Sequence, residues 1–371
     1  MPYLLAGRAI RLRIRGRNPF AWFLRFSLLG ALLALSSKGL LSQISSHRDW
    51  QKLPRMCASC HVGHGVAGSA MLPKAEEDFC YQCHGDFQEI DVLLRSNRLS
   101  PTVRTRNMRL EFNKANRHPV ELRSDVLPAP TEAGRRASNP SRSECLDCHR
   151  GHGVSRPMVG AGVPKLSTLE EGKFEYELCY RCHAGVSQFS VARKDIKAWF
   201  DTKNPSFHPL EAAGKNSDVP SLREPYSILS QVNCTDCHNN DNLDGPRGPH
   251  GSTNAALLEK RYATRDFISE STEEYALCYK CHDRESILTD QSFPHHERHV
   301  VIARTSCFTC HSSHGSELSP HLIRFREDID PLRIQPSSSG RLEFIDRGRY
   351  SGECYLTCHG IDHDPKSYQR F

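Results

Sequence analysis

The chain has 371 residues, a formal charge of +6, only 38% hydrophobic residues, and 24 glycines with 22 prolines. At about 150 residues per domain its length allows two or three domains, yet side chains this poor in hydrocarbon cannot fill a large core. Something other than side chains must occupy the interior, and the excess of 16 cysteines and 20 histidines points to what it is.

The first element is an export signal. Residues 1–36 hold six arginines (Arg8, Arg11, Arg13, Arg15, Arg17, Arg25) and no acid, and an apolar stretch from Phe26 to Ser37 ends at Lys38. Its uncharged run is short for a membrane span of about 20 residues, and Ala34-Leu35-Ser36 offers small residues for cleavage. The other reading is an uncleaved anchor from Pro19 to Leu41. Either way the arginines stay cytoplasmic and the remainder is exported, to the periplasm or the cell exterior. No later segment is long and apolar enough to cross a bilayer. Without the six arginines the charge falls from +6 to 0, so a nucleic-acid partner has no electrostatic basis.

From residue 57 onward every cysteine belongs to a pair, and a histidine follows each pair directly. The pairs are Cys57/Cys60 with His61, Cys80/Cys83 with His84, Cys145/Cys148 with His149, and Cys179/Cys182 with His183. They continue as Cys234/Cys237 with His238, Cys278/Cys281 with His282, Cys307/Cys310 with His311, and Cys354/Cys358 with His359. Seven are C-x-x-C-H and the last is C-x-x-x-C-H. Chance gives eight such coincidences a probability on the order of 10⁻¹⁰. Positions i, i+3 and i+4 share one face of a helical turn, so both thiols and the imidazole meet one haem: the thiols become thioethers and the histidine ligates iron. Zinc would need pairs of pairs and no regular histidine, and disulfides would need no histidine at all. The count predicts eight covalent haem c groups. In the eighth motif both cysteines still share a helical face, but His359 at i+5 is rotated away.

The motifs alternate in two flavours. The first is followed by His-Gly, at His64, His152, His250 and His314; the second carries tyrosine after its first cysteine (Tyr81, Tyr180, Tyr279, Tyr355) and acids before it. Four repeats are thus predicted: haem pair 1 at 37–122, pair 2 at 123–215, pair 3 at 216–302 and pair 4 at 303–371. Between pairs lie His118-Pro119-Val120-Glu121 and His208-Pro209-Leu210-Glu211; after the third pair His299 is preferred over His295.

From 47 to 363 this order resembles the multihaem c-type cytochromes with doubled C-x-x-C-H motifs, found in bacteria that respire metals or other extracellular acceptors. The resemblance implies an electron carrier with bis-histidine haems. The insertion before His250, the C-x-x-x-C-H motif and the missing Pro-Val after His47 depart from the pattern.

Each iron needs a second axial ligand, histidine or methionine. Met1 belongs to the signal and the other four methionines precede residue 159, so the last haems have none nearby. Twelve histidines remain after the eight motif ligands: His47, His64, His118, His152, His208, His250, His295, His296, His299, His314, His321 and His363. Three residues span only about 10 Å, so His64 cannot reach the far face of the haem held by His61 and must serve another; the same holds for His152 and His314. His250 is less constrained. For the rest, His47, His118, His208 and His299 balance the count if ligands come from upstream. His118, His208, His299 and His363 balance it equally from downstream. His296 and His321 read as surface histidines, and the four tyrosines as packing on the macrocycle rather than as catalytic groups.

The predicted fold is a multihaem cytochrome c, mostly irregular, with short helices at the motifs, a longer one near Val191–Phe200, a capping box at Ser271-x-x-Glu274 and little or no β structure. The predicted function is transport of electrons along the haem chain in respiratory or extracellular electron transfer. Its partners are redox donor and acceptor proteins: other cytochromes, a quinol-oxidising membrane complex or an outer-membrane conduit. The alternative is an octahaem reductase of a small nitrogen or sulfur oxyanion. Such a reductase needs one open iron, which a surplus of distal histidines disfavours.

Overall fold

One hydrogen bond recurs through the chain. The backbone N–H of the motif histidine donates to the carbonyl of the first cysteine, at 2.8 Å in His61, His149, His238 and His311 and at 3.0 Å in His282. This closes a single helical turn, and His84 and His183 end the nine-residue helices Glu76–His84 and Glu175–His183 in the same local shape. The computed structural model describes residues 46–66, 71–120, 143–149, 174–185, 195–325 and 334–370. The expected export segment 1–36, His152 and almost all of the Leu127–Ser143 connection lie outside them. From His47 onward the chain forms one compact unit.

The two flavours differ in what precedes the turn. First-flavour motifs stand alone, at Met56–Ser59, Cys145–Cys148, Cys234–Asp236 and Cys307–Cys310. In the first two repeats the second flavour ends a full helix whose opening turn carries Glu76, Glu77 and Asp78, or Glu175 and Glu177. Acids there meet the positive end of the helix dipole. In the third repeat Glu274 N–H does donate to Ser271 Oγ at 3.1 Å. The chain then continues in turns and reaches Cys278–Lys280 as a 3₁₀ turn, not as the expected α-helix. Of the longer helix expected near Val191–Phe200, the described part is Ile196–Trp199.

Apolar side chains gather in four small clusters, around Leu53, Tyr81, Phe200 and Tyr275, in place of one large core. Short strands tie distant repeats together. Strand β1 (Asn116–Arg117) pairs antiparallel with β3 (Gly251–Ser252), and β2 (Ser206–Phe207) with β4 (Gly315–Ser316). The first repeat is thereby stitched to the third, and the second to the fourth.

The C-terminal part departs from the expectation of little or no β structure. Strands β5 (Ile334–Gln335), β6 (Glu343–Asp346), β7 (Ser351–Cys358) and β8 (Ile361–Gln369) form an antiparallel sheet. The eighth motif therefore lies on a strand and not on a helical turn. Alternation places Cys354, Leu356 and Cys358 on one face of β7. His359 and Gly360, with φ of +48° and +79°, form the two-residue turn into β8. Strand β8 carries few apolar residues, which is why its period of two was illegible in the sequence. Among the described residues no helix is long and apolar enough to cross a membrane.

Candidate haem sites

Two imidazoles on opposite sides of one iron have ring centroids about 6.3 Å apart, given iron–nitrogen bonds of about 2 Å, as for imidazole on other first-row metals. Five motif histidines have a partner histidine at this spacing, and His295 and His299, neither of which follows a cysteine pair, stand 6.4 Å apart as well. His84 meets His47 at 6.2 Å, His149 meets His250 at 5.9 Å, His183 meets His118 at 6.3 Å, His238 meets His314 at 6.1 Å and His311 meets His296 at 6.5 Å. After burial, His208 is the largest electrostatic influence on His282. In each of these pairs with a motif histidine, the other histidine comes from a different stretch of chain. His296 was read as a surface histidine. Instead Phe293, 5.2 Å from its ring, and the turn into the helical segment Glu297–Ile302 carry it toward His311.

Protonation and tautomer suit a metal ligand. Burial, reinforced by neighbouring histidines, lowers His84, His250 and His282 to about 4 and His296 to about 3. Burial also lowers His149, His208, His238 and His311. All are neutral at pH 7, with a lone pair free. Nδ1 of His61, His238 and His311 lies 3.2, 2.8 and 3.0 Å from the carbonyls of Met71, Ala256 and His321. Nδ1 of His118 and His208 lies 2.6 and 2.5 Å from those of Pro249 and Ser313. A ring that donates Nδ1–H to a carbonyl keeps Nε2 for the metal, the arrangement usual for metal-bound histidine.

The strand stitches create these meetings. His118 N–H donates to His250 O at 3.3 Å, and His208 N–H to His314 O at 2.9 Å, extending the β1–β3 and β2–β4 pairs by one residue. Glycine after each partner histidine is required by close approach. A Cβ on Gly251 would lie 1.8 Å from Glu111 O, and one on Gly315 1.9 Å from Trp199 O.

The cysteines of successive motifs neighbour one another in chain order. Within repeats Cys60 neighbours Cys83, Cys148 neighbours Cys179 and Cys182, Cys237 neighbours Cys278 and Cys281, and Cys310 neighbours Cys354 and Cys358. Between repeats Cys80 contacts Cys145, Cys179 contacts Cys234 and Cys278 neighbours Cys307. Burial pushes the thiols up, Cys83 to about 11 and Cys148 to about 12, as befits sulfur in apolar surroundings. A cavity of about 2990 Å³ is lined by cysteines from Cys148 to Cys358. That is several times a small-molecule pocket of about 300–1,000 Å³ and fits a file of large flat cofactors.

Carboxylates that precede the second-flavour motifs clamp the motif that follows. Glu76 Oε1 accepts Leu146 N–H at 2.6 Å, and the buried Glu175 accepts Thr235 N–H and Oγ1–H at 2.8 and 2.9 Å. Both acids stand four residues before a second-flavour cysteine, and both bind the residue after the next motif's first cysteine. In the third repeat Asp266 takes over, accepting Ser306 N–H at 2.8 Å and Thr309 Oγ1–H at 2.6 Å.

His64 is exposed and meets no histidine ring among the described residues. His321 is exposed and lies 3.5 Å from Asp346. Of the tyrosines, Tyr81 is 1% exposed beneath the Arg109 guanidinium and Tyr279 donates to Glu270 at 2.9 Å. Tyr180 lies beside Lys197, and Tyr355 beneath Arg341.

The family described as outer membrane cytochrome MtrC/MtrF-like, domains II/IV, matches residues 141–320, and the doubled CXXCH motif family matches residues 53–89. No curated protein and no solved structure matches the chain. Paired thiols, paired imidazoles and these two family matches converge: the chain is a multihaem c-type cytochrome.

Proposed function

We propose that the chain is an octahaem electron carrier in which every iron is bis-histidine. Each motif thiol adds its S–H across a haem vinyl group, and the axial pairs are His84/His47, His149/His250, His183/His118, His238/His314, His282/His208 and His311/His296. The ring spacings carry five of these pairs, and the electrostatic influence of His208 on His282 supports the sixth. The rule they suggest is that a first-flavour iron takes the His-Gly histidine of the next repeat, and a second-flavour iron takes the histidine upstream of its own repeat. Applied to the first repeat, the rule gives His152 to the iron of His61. It assigns His64 no iron among these repeats, and in the fourth repeat His296 supplies the iron of His311.

Sulfur neighbours in sequence order support a single file of eight haems, numbered 1 to 8 along the chain, with haems 1 and 8 at its ends. The description of the matched outer membrane family supports an extracellular or outer-membrane location and other cytochromes as redox partners. A reductase would need an open iron, and the supply of histidines speaks against one. The test is carbon monoxide binding to reduced holoprotein: a carrier with eight closed irons binds none, and a reductase binds one equivalent.

A further inference from the structure

The motif histidine of haem 8 is linked to the surface by one aromatic ring. His359 stands in the β7–β8 turn, 4.8 Å from the ring of Phe267, and Phe267 is 63% exposed. Electron transfer falls steeply with distance, so a ring that meets an axial ligand on one side and solvent on the other shortens the path to the iron. Phe267 is held there against its own preference. Its φ of +66° lies in the left-handed region, and its N–H donates at 2.7 Å to the carbonyl of Arg304, whose φ is +55°. That conformation is costly for side chains of this size and persists only where the surroundings impose it. Asp266, buried beside Phe267, accepts from Ser306 N–H and Thr309 Oγ1–H, and Thr305 N–H donates to His299 O at 2.8 Å. Both turns are thus anchored from below, and Phe267 and Arg304 are displayed above.

The surface around Phe267 has an apolar centre and a basic rim. The helical segment Glu297–Ile302 buries Val300, half-buries His299 and leaves Val301 40% and Ile302 71% exposed. Arg265, Arg298 and Arg304 are exposed in the same two stretches of chain, and none of them forms an ion pair among the described residues. Of the acids at 264–270 and 297–304, Glu297 alone is exposed: Asp266 is buried, and Glu270 is bound by Arg284 and Tyr279. Three arginines against one exposed carboxylate make this face positive. Arginine and aromatic side chains about an apolar centre are what protein interfaces favour. Charge complementarity then selects a partner whose own patch is rich in carboxylates.

We propose that this face docks an acidic redox protein and exchanges electrons with it through haem 8. One electron leaves the reduced centre of the partner, which is thereby oxidised, and turns the ferric iron of haem 8 ferrous; the reverse transfer uses the same face. No bond forms or breaks. The proposal rests on the octahaem reading and adds to it the chemistry of one redox partner.

The probe is reduced plant-type ferredoxin, a small acidic iron–sulfur protein, mixed by stopped flow with oxidised holoprotein whose intact mass has been measured. The unsubstituted chain should be reduced at a rate that falls as salt is raised. Arg298→Glu with Arg304→Glu should lower that rate about tenfold or more at low salt and remove its salt dependence. Arg95→Glu with Arg106→Glu, the same reversal at two exposed arginines of the first repeat, should change it little. Phe267→Ala should slow transfer and leave the salt dependence in place. A rate indifferent to salt, or one lowered as much by the first-repeat reversal, overturns the proposal, and an unchanged rate in Phe267→Ala overturns haem 8 as the point of exchange. A dimer of the unsubstituted chain that the reversal at 298 and 304 dissolves would give the face to a second copy and overturn it likewise. A mass of seven haems would remove haem 8, so the octahaem reading fails with the proposal, whereas failure of the rate test at eight haems leaves that reading standing.

Discussion

His208 donates its backbone N–H to the carbonyl of His314 at 2.9 Å, joining the segment after the second haem pair to the fourth. The same bond joins His118 to His250 at 3.3 Å, so one stitch sets two histidines that are assigned to different irons. The stitch depends on glycine. Gly251→Ala and Gly315→Ala would each press a methyl group into a backbone carbonyl that cannot yield as a side chain would. Each is expected to cost about 1–3 kcal/mol or more. Gly214→Ala, whose added Cβ has only Phe207 O near it at 3.8 Å, should be close to neutral. Thermal unfolding of the three holoproteins checks this, and equal midpoints would remove the packing argument.

Ligand replacement should open irons one at a time and across repeats. His250→Ala is expected to create one high-spin haem, that of His149, and His118→Ala one high-spin haem, that of His183. His152→Ala should open the iron of His61, while His64→Ala should open none. Paramagnetic resonance combined with carbon monoxide titration reads each case. An open iron in His64→Ala would break the repeat rule.

Motifs were legible in the sequence because haem attachment is local: two thiols and an imidazole within five residues state their chemistry without help from the fold. Distal ligands were only half legible. Candidates could be counted, but His47 and His363 balanced equally well, and the approach of His47 to His84 and of His118 to His183 depends on folding that no local pattern displays. His296 was misread because its side chain is turned inward by Phe293, a contact no periodicity encodes. The C-terminal sheet escaped notice for a related reason. Alternation in β7 runs through Gly352, Cys354, Leu356 and Cys358, and the two cysteines had been assigned to a helical face by their spacing. The acids before the second flavour were visible as a pattern, but their role as clamps on the following motif was not.

The clamp itself can be tested. Glu175 is 3% exposed and is the acceptor for Thr235 N–H, so Glu175→Ala leaves a buried donor unpaired at about 1–3 kcal/mol. The unfolding midpoint should fall, and Glu175→Gln, which retains one acceptor oxygen, should restore part of the loss. No change in Glu175→Ala would mean that the contact does not hold the fourth and fifth motifs together.

Sixteen paired cysteines predict a covalent count of eight haems. Intact mass under denaturing conditions should show the polypeptide plus eight. Seven would exclude the motif from Cys354 to His359, and fewer would break the correspondence between motif and haem.

The central claim is that all irons are closed by two histidines, so that electrons pass through the chain and no substrate is reduced at iron. The most direct measurement is a spin count on unsubstituted oxidised holoprotein, followed by carbon monoxide titration of the reduced form. The account predicts eight low-spin haems and no carbon monoxide uptake; one stoichiometric high-spin haem that binds carbon monoxide would contradict it and install the reductase reading in its place.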